Sequence, residues 1–530
     1  MSEPKSRKPL DGDEKTIEVE LRLAGDADVL ETVFASSLGP QDDGPEGTTA
    51  DLENRYFDTA DRALHAKGLA LRVRNNGAEC KQTLKAGDNA KAALLKRTEW
   101  EITLDNDQLK LDAFPKEARE LLPKSARTGD LQQAFTTRIK RRLRNVTCDD
   151  QGERLCQIEA VLDLGEIEAG NSTMPVAEIE LELLKGTAGD LYRLALDLQD
   201  VAPLHLETRS KSVRAFDLLA KKPPSWHRRK LPMISRSDSI DDAMAAIFAN
   251  CFEHWLANQA AAFDGQDPEG VHQMRVALRR LRSALSIFRK LIPSCQMSWL
   301  QAGAKAALGG LGPARDWDVF QSELLAPLLA ARPYDRDLGV LAARAKSRGH
   351  ASYRSARKML KGADYTRFTL RFGRWLEERA WRQENDAGQA ALRAKPITDL
   401  ARKLLVKRNE RALAKGHHLS DLTTEQRHEL RITLKKLRYA IEFFKPLFEK
   451  KAMKPFLNQL KALQDDFGHL NDVAVAETLF NDLLARRSKQ DIRRAAGLVI
   501  GWHARGVEAN EPALLRDWDD FTRQRGFFWD

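Results

Sequence analysis

The chain of 530 residues is too long for one ordinary hydrophobic core, so two or three domains are expected. The first 15 residues are polar where a secretory signal would need an apolar stretch, and no run of about 18 apolar residues predicts a membrane span. The five cysteines are scattered without a CxxC pair, so the sequence indicates neither disulfides nor export. These features favour a multidomain cytoplasmic protein over a secreted or membrane-embedded one.

Charge divides the chain into two parts of opposite character. Residues 1–220 carry a net charge of −10 and residues 221–530 one of +19, which together give the net +9 of the chain. An acidic part with clustered carboxylates suits a divalent metal, while a basic part favours a polyanion such as nucleic acid, a phosphate polymer or anionic lipid. Any single charged run also fits an ordinary solvated surface.

Three regions with different residue patterns follow one another along the chain. Up to about residue 217, apolar and polar residues alternate in short runs, which is the period of half-buried strands. Residues 221–237 are basic, contain prolines and lack periodicity, as a linker does. From residue 238, apolar residues recur three and four positions apart, as in helices. We therefore expect an α+β multidomain protein with a β-rich domain over 14–220 and an all-α domain over 238–525.

Charged residues occupy one face of several predicted strands in the β-rich part. In TIEVELRL, which begins at Thr16, acidic and basic residues alternate with apolar ones. Alternation places the following charged residues on single strand faces: Glu18, Glu20 and Arg22; Arg72 and Arg74; Lys81 and Lys85; Glu99 and Glu101; Arg138 and Arg142; Asp163; and Glu178, Glu180 and Glu182. Each strand alone fits an amphipathic strand with its charged side in water. Strands that are all-acidic or all-basic in turn instead favour a closed barrel that encloses a metal ion and a highly charged anion.

Residues 14 to about 217 resemble the CYTH family, the triphosphate tunnel metalloenzymes. The resemblance rests on the ExExK-like start at Glu18, on RYFDTADRALHAKGLALRVR, QTLKAG and EIELEL, and on the late SKSVRAF. It implies an eight-stranded antiparallel β-barrel, open as a tunnel, that acts on triphosphate-containing substrates with Mg²⁺ or Mn²⁺. The triphosphate-binding residues that it implies are Arg22, Arg72, Arg74, Lys85, Arg138 and Lys211. The implied metal ligands are Glu18, Glu20, Asp163, Glu178 and Glu180, supported by Glu99, Glu101 and Glu182.

Two of these positions carry more specific expectations. Lys85 is the candidate for orienting or deprotonating the attacking water, since a lysine beside cations can lose its proton near neutral pH. Arg22 stands where the family motif usually ends in lysine. Arginine keeps the charge but presents a planar fork, so we expect phosphate binding to survive and the chain-length preference to shift.

The helical part contains an internal repeat. One pair of similar segments comprises VHQMRVALRRLRSALSIFR, which begins at Val271, and RHELRITLKKLRYAIEFFK, which begins 156 residues later at Arg427. A second pair comprises GPARDWDV at Gly312 and GHLNDVAV at Gly468, again 156 residues apart. A shared offset without gaps implies duplication, and the long period favours two similar helical bundles over a superhelical solenoid.

Each copy of the repeat carries a basic stripe on one helix face. The stripe residues are His272, Arg275, Arg279 and Arg282 in the first copy, and His428, Arg431, Lys435 and Arg438 in the second. One such stripe fits a solubilising surface, but its preservation in both copies favours a polyanionic partner. The two segments, with LGPARDWDV and FGHLNDVAV, resemble the CHAD family of helical domains. That resemblance implies two helical bundles with a basic surface that binds long-chain polyphosphate.

A CYTH-like part followed by a CHAD-like part resembles bacterial inorganic triphosphatases and implies hydrolysis of tripolyphosphate to pyrophosphate and phosphate. One alternative is a triphosphatase for an organic triphosphate such as thiamine triphosphate, although the predicted lumen offers no evident aromatic platform. Another is a non-catalytic polyphosphate-binding or granule-associated protein, which the retention of acidic and basic lumen residues disfavours. We do not expect nucleic acid as the partner, because the basic helices lack interleaved aromatic residues.

Overall fold

The computed structural model describes residues 16–39, 41–44, 46–87, 94–149, 155–383, 387–484 and 490–529. The predicted domain start at residue 14 and the polar N-terminal stretch lie outside these residues. The described chain divides into two compact units. Unit 1 comprises Met1–Trp226, Leu256–Gln266 and Leu360–Ala380, and unit 2 comprises His227–Trp255, Asp267–Met359 and Trp381–Asp530.

In the part of unit 1 that the structure describes, ten antiparallel strands form one sheet. In chain order they are β1 (Thr16–Ala24), β2 (Gln41–Asp42), β3 (Thr48–Thr59), β4 (Leu69–Asn75), β5 (Cys80–Ala86), β6 (Leu94–Leu104), β7 (Leu131–Asp149), β8 (Leu155–Ala169), β9 (Ser172–Lys185) and β10 (His205–Leu206). The order is β10-β1-β6-β5-β4-β3-β7-β8-β9, and β1 also pairs with β9. This second pairing closes eight strands into a barrel, while the short β2 and β10 lie beside it. The predicted eight-stranded antiparallel barrel is confirmed.

The helices occupy both units. In chain order they are α1 (Ala27–Ala35), α2 (Ala63–Ala66), α3 (Lys116–Leu121), α4 (Lys124–Arg127), α5 (Ala188–Val201), α6 (Lys211–Ala220), α7 (Ile240–Ala257), α8 (Gln259–Asp264), α9 (Pro268–Ile287), α10 (Ser294–Val319), α11 (Ala326–Ala331), α12 (Arg336–Leu360), α13 (Ala363–Glu377), α14 (Ala387–Arg393), α15 (Ile397–Lys415), α16 (Thr424–Phe444), α17 (Lys450–Leu484) and α18 (Gln490–Arg523). Between α6 and α7 the chain forms neither helix nor strand. The expectation of a mostly helical C-terminal part is confirmed. Among the residues that the structure describes, no helix combines the length and the apolar character that a membrane crossing requires.

Alternation along the barrel strands separates a charged interior from an apolar exterior. On β6, Glu99 and Glu101 line the lumen, while Trp100 between them packs into an outer apolar cluster. That cluster also contains Leu71 of β4 and Leu84 of β5, which are fully buried. The period of two in the sequence therefore places apolar side chains outside the barrel and leaves the charged ones to face each other inside.

Unit 1 also includes two helices from the predicted helical domain, α8 and α13. Helix α13 packs against α5, where a Cβ atom at Gly373 would lie 2.3 Å from Cζ of Tyr192, so only glycine fits this contact. Tyr365 donates a hydrogen bond to Gln259 (2.7 Å), which in turn donates to the carbonyl of Leu206 (3.0 Å). The apolar face of α13 resembles any core-facing helix in the sequence, and periodicity alone does not reveal the partner that it packs against.

Unit 2 preserves the predicted 156-residue offset in its helices. Helix α16 begins 156 residues after α9, and α17 begins 156 residues after α10. The repeated helices α9 and α16 contact each other. Their buried faces include Leu278 and Leu281 in the first copy, and Leu434 and Leu437 in the second. The duplication thus places two equivalent helices side by side within one unit.

Candidate functional site

The barrel encloses a charged cavity of about 410 Å³. Residues from β1, from β3 to β9 and from the start of α6 line this lumen. Its acidic lining residues are Glu18, Glu20, Glu99, Glu101, Glu159, Asp163, Glu180 and Glu182, and its basic ones are Arg22, Arg72, Arg74, Lys85, Arg97, Arg141 and Lys211. Eight acidic and seven basic side chains nearly balance one another. The lumen can therefore accept a cation and a polyanion together at little net electrostatic cost.

Three carboxylates from β8 and β9 lie close together beside the lumen. Asp163 and Glu180 line it, and Glu178 is fully buried next to them. Asp163 pairs directly with Glu178 across the strands, and Glu180 lies two residues further along β9. Oxygens of the three carboxylates all lie within 4.8 Å of one another. An oxygen-only donor set of this size fits a hard divalent cation such as Mg²⁺ or Mn²⁺. We refer to Asp163, Glu178 and Glu180 as the acidic triad.

Two basic side chains, Lys211 and Arg141, contact the acidic triad. Nζ of Lys211, at the start of α6, lies 2.7 Å from Asp163, 2.5 Å from Glu178 and 2.9 Å from Glu180. Arg141 of β7 donates two hydrogen bonds of 2.7 Å to Asp163 and one of 3.1 Å to Glu180. Burial opposes ionisation, but Arg141 and Lys211 hold the pKa of Asp163 and of Glu180 below the usual range. Asp163 and Glu180 are therefore anionic at neutral pH.

A second acidic cluster lies between β1 and β6. Lys85 donates hydrogen bonds of 2.8 and 2.9 Å to the two carboxylate oxygens of Glu18, and its Nζ lies 3.5 Å from Glu99. Arg97 lies 3.2 Å from Glu18 and 2.7 Å from Glu20. Burial opposes ionisation of Glu18, but Lys85 and Arg97 hold its pKa below the usual value. The groups in ionic contact with Lys85 are carboxylates, whereas the sequence-based expectation placed cations beside it.

Arg22 connects the two acidic clusters. Its side chain is buried, pairs with Glu20 on its own strand, and places Nε 3.1 Å from Glu180. The register explains the second contact, since Arg22 and Glu180 are direct partners across β1 and β9. The planar guanidinium group can serve both carboxylates at once, which a single ammonium group does less well. Arg22 lines the lumen, but its contacts are with carboxylates.

Arg72 and Arg74 form a cationic wall on β4. Arg74 donates a 2.9 Å hydrogen bond to Asn54, and among the described residues no carboxylate lies within 4.0 Å of its guanidinium nitrogens. Burial together with Arg72 and Arg141 lowers the pKa of Arg74 to about 10. Arg72 lies 3.9 Å from Glu99 and 3.5 Å from the hydroxyl of Tyr56. A bound anion would relieve this repulsion between buried cations.

The prediction that Arg138 contributes to the lumen is wrong. Its side chain is half-exposed and pairs with Glu53 and Glu168, none of which lines the cavity. On β7 the residues that face the lumen are Ile139 and Arg141. The basic run RIKRR places cations on both faces of the strand, so alternation alone cannot select the inward set. Arg142, which was expected to share the face of Arg138, pairs with Glu31 of α1.

Several lumen residues were not identified from the sequence. Arg97 and Arg141 lie in basic runs of ambiguous parity, and Glu159 follows the same alternation on β8 as Asp163. Tyr56 also lines the lumen, contrary to the expectation that no aromatic residue does so. One face of its ring stacks on Phe135, with the centroids 4.4 Å apart, which limits its use as a stacking platform.

The basic stripes of α9 and α16 face a cleft of about 780 Å³ in unit 2, which we call the basic cleft. Seven of the eight predicted stripe residues line it, namely His272, Arg275, Arg279, Arg282, His428, Arg431 and Lys435. Arg315, Asp316 and Asp472 add to the lining. Arg438 does not line the cleft and instead pairs with Glu442 and Gln464. The two copies of the repeat thus build one shared surface.

Burial and neighbouring cations lower the pKa values of several basic residues in the cleft. Burial together with Arg279 lowers the pKa of Arg275 to about 10, and burial with Arg431 and Arg279 lowers that of Lys435 to about 7. Burial and Arg315 lower the pKa of His272 to about 4, so this imidazole is neutral at pH 7 and adds no charge to the stripe. A polyanion bound in the cleft would offset the repulsion between the basic side chains that lowers these pKa values.

The aspartates near the cleft lie within helices, although the RDWD and LND segments read as turns in the sequence. Asp316 and Asp318 belong to α10, which continues through Pro313, and Asp472 belongs to α17. Asp318 accepts a 2.8 Å hydrogen bond from Tyr353, while burial raises the pKa of Asp316. Proline disfavours the interior of a helix, but the surrounding helix continues through Pro313.

Comparisons with known proteins agree with this division of the chain. The model of the CYTH domain matches residues 16–216, and that of the CHAD domain matches residues 246–481. An inorganic triphosphatase of Haemophilus influenzae is 28% identical over 172 residues, which cover 32% of this chain and 47% of that protein, so the match spans about half of its length. An uncharacterized protein of Mycobacterium tuberculosis is 26% identical over 438 residues, or 77% of this chain and 80% of that protein.

A solved structure provides a further match. The CHAD domain from the plant Ricinus communis is 28% identical and superposes with a TM-score of 0.50, covering 57% of this chain and 98% of that domain. The closed barrel agrees with the first family match, and the paired helices of unit 2 agree with the second. The chain therefore carries a CYTH domain followed by a CHAD domain.

Proposed function

We propose that this chain is a metal-dependent inorganic triphosphatase that hydrolyses tripolyphosphate to pyrophosphate and phosphate. The observation that carries the proposal is the meeting of opposite charges in one lumen, where the acidic triad faces a cationic wall whose Arg74 lacks a carboxylate partner among the described residues. A complex of triphosphate with a divalent metal would place the cation at the acidic triad and the phosphate groups at the cationic wall. The relative from Haemophilus influenzae, named an inorganic triphosphatase, supports the same substrate class.

In this proposal the carboxylates of the lumen bind the metal and the arginines bind the phosphate groups. Asp163, Glu178 and Glu180 would hold Mg²⁺ or Mn²⁺, which when bound neutralises and polarises phosphoryl oxygens. Arg72 and Arg74 bind those oxygens through forked donors and stabilise the charge of the transition state. Because they are fixed by the strands, they need little reorganisation during the reaction.

Lys85 has a narrower role in this proposal than the sequence suggested. Its ammonium group donates to Glu18 and lies near Glu99, so it remains a hydrogen-bond donor. A hydrogen-bond donor at that place can orient the attacking water or a phosphoryl oxygen. We therefore assign Lys85 to orientation.

A side-by-side comparison of substrates tests the proposal. Phosphate release is measured for tripolyphosphate, ATP and thiamine triphosphate, each with Mg²⁺, with Mn²⁺ and with EDTA. The proposal expects tripolyphosphate to give the highest kcat/KM and EDTA to abolish release. A preference for thiamine triphosphate would instead support an organic substrate, and binding of tripolyphosphate without release would support a non-catalytic protein.

Replacing Glu180 by glutamine is expected to raise the metal concentration required for half-maximal activity by about 10-fold or more, because metal sites lose this much affinity when a supporting group is removed. The amide keeps the shape of the side chain but loses the charge that attracts the cation. Metal titrations of phosphate release and of direct metal binding provide the measurement. Glu168→Gln, on the same sheet but paired with Arg138 outside the lumen, is the matched control. Identical titrations for Glu180→Gln and Glu168→Gln would remove the acidic triad from the metal site.

We further propose that the basic cleft binds long-chain polyphosphate. Seven stripe residues line it. The pKa values of Arg275 and Lys435 are lowered by burial and by neighbouring cations, and nearby carboxylates do not compensate for this effect. The buried Nδ1 of His272 has no hydrogen-bond partner among the described residues. A flexible polymer of phosphate groups supplies both negative charge and oxygens along the cleft.

Affinity for polyphosphate is expected to fall as the pH rises above about 7. In the free cleft, burial with Arg431 and Arg279 lowers the pKa of Lys435 to about 7, while Arg438 adds to this effect and Asp472 opposes it. A bound polyanion favours the charged form, so binding takes up a proton. The contribution of Lys435 is therefore complete below the pKa of the free cleft and is lost as the pH rises towards the higher pKa of the complex.

Binding measured by calorimetry between pH 6 and pH 9 tests this expectation, and Lys435→Arg is its control. Arginine keeps its charge over that range, so the variant should lose most of the pH dependence while binding at least as tightly at pH 9. His272 is neutral throughout the range and does not contribute to the slope. An unchanged slope in Lys435→Arg would show that another group titrates.

A further inference from the structure

Two cysteines of the barrel face each other across neighbouring strands. Cys148, near the end of β7, and Cys156, near the start of β8, are direct partners in the antiparallel register. Directly paired residues have Cα atoms about 4.5 or 5.5 Å apart, and both spacings lie within the range that a disulfide spans. The two cysteines are not joined in a disulfide, and their side chains are in hydrogen-bonding contact. The strands therefore hold two sulfurs where a bond can form without moving the backbone.

The surroundings distinguish these two thiols chemically. Arg193 of α5 lies close to both, with Nη2 3.8 Å from Sγ of Cys156, and is itself held by a 3.0 Å hydrogen bond to Asp190. The hydrogen bond with Cys156 and the charge of Arg193 lower the pKa of Cys148 to about 7, while the pKa of Cys156 is raised. Cys148 is half-buried and accessible, whereas Cys156 is buried. Cys148 is therefore partly ionised to the thiolate at neutral pH, and the buried thiol of Cys156 lies next to it.

Cys251 differs from Cys148 in both accessibility and acidity. Cys251 of α7 is fully buried, and burial raises its pKa to about 11. A thiol in that state is neither accessible nor ionised at neutral pH. The properties of Cys148 therefore come from its position beside Cys156 and Arg193 and are not general to cysteines of this chain.

We propose that Cys148 and Cys156 form a redox-active dithiol, which hydroperoxides oxidise to an intrachain disulfide. The thiolate of Cys148 attacks one peroxide oxygen, so an S–O bond forms, the O–O bond breaks and the leaving hydroxide takes up a proton to become water. Cys156 then attacks the sulfur of Cys148, forming the S–S bond and releasing a second water. The peroxide is reduced by two electrons and the two thiols are oxidised by two. Small thiols reverse the step by exchange.

The test uses the full chain, reduced and then treated with hydrogen peroxide at neutral pH. Peptide mapping should show a disulfide that joins Cys148 to Cys156, and the intact protein should lose two hydrogen atoms. Cys156→Ser should stop at a sulfenic acid on Cys148, which dimedone traps. Cys80→Ser removes a half-buried cysteine of β5 and should leave the cross-link unchanged. Peroxide treatment that labels other cysteines as fast as Cys148, with no Cys148–Cys156 bond, would overturn the proposal.

Arg193→Gln provides a second measurement that leaves both cysteines in place. Without the guanidinium charge, the pKa of Cys148 should rise towards its ordinary value, and oxidation at pH 7 should slow by about 10-fold because less thiolate is present. At pH 9 the variant and the parent chain should react at similar rates, which distinguishes loss of activation from misfolding. Equal rates at pH 7 would remove Arg193 from the proposal, and a deficit that persists at pH 9 would contradict thiolate control.

Discussion

Replacing Arg74 by alanine is expected to lower kcat/KM for tripolyphosphate by about 10²- to 10³-fold, the usual loss when one preorganised charge-stabilising donor is removed. The barrel should remain folded, because Arg74 is bound only to the amide of Asn54 and its loss leaves no carboxylate unpaired among the described residues. Removing a buried cation that Arg72 and Arg141 repel costs little stability. Steady-state kinetics and thermal unfolding of the same preparations measure the two effects.

Arg138→Ala is the matched control for this prediction. Arg138 is also an arginine on a barrel strand, but it lies outside the lumen and pairs with Glu53 and Glu168. Its removal should leave kcat/KM within about 2-fold of the parent chain, since exposed ion pairs contribute little. Equal losses in Arg74→Ala and Arg138→Ala, or full activity in a folded Arg74→Ala protein, would refute the assignment of the lumen as the site.

Reversing two charges in the basic cleft should have the second large effect. The double variant Arg275→Glu and Arg431→Glu is expected to weaken binding of long-chain polyphosphate by at least about 10²-fold at low salt, because each position changes from attraction to repulsion. Both residues line the cleft from different copies of the repeat. Binding by the parent chain should also weaken steeply as salt increases. Affinity measured over a series of salt concentrations gives both results.

The control for this experiment makes the same change of charge elsewhere in unit 2. Arg354 and Lys358 are exposed on α12 and do not line the cleft, so the double variant Arg354→Glu and Lys358→Glu should bind nearly as the parent does. The experiment uses the full chain, because α13 packs on α5 within unit 1 and a fragment that begins at residue 238 would lose that partner. Similar losses in both double variants would indicate a response to net charge alone. Tighter binding of a DNA duplex than of polyphosphate would favour nucleic acid as the partner.

Strand alternation predicted which charged residues share a strand face, while the resemblance to the CYTH family implied the eight-stranded barrel. Charged residues alternate strictly with apolar ones over residues 18–23 of β1, 71–74 of β4, 99–102 of β6 and 178–183 of β9, so each of these charges has a defined face. Glu18, Glu99 and Glu180 accordingly lie in the lumen. The same reasoning applies to the repeat, where the spacing of cations and leucines placed each stripe on one face of its helix. The structure brings seven of the eight stripe residues into one cleft.

Where a strand carries charged residues on both faces, alternation does not predict which of them face the lumen. The run from Arg138 to Arg142 contains four cations in five residues, and the inward position is decided by the register of β7 against β3 and β8. That register depends on contacts between distant segments, so Arg138 was chosen where Arg141 lies in the lumen. The contacts of Lys85 with Glu18 depend in the same way on strands that are remote in sequence.

Product analysis of the full chain with tripolyphosphate tests the central claim most directly. Phosphorus NMR or ion chromatography should show tripolyphosphate converted to equal amounts of pyrophosphate and phosphate with Mg²⁺ or Mn²⁺, none with EDTA, and a greatly reduced rate in Arg74→Ala. A folded chain that binds metal and tripolyphosphate but releases no phosphate would contradict the claim, as would release that is unaffected by EDTA and by Arg74→Ala.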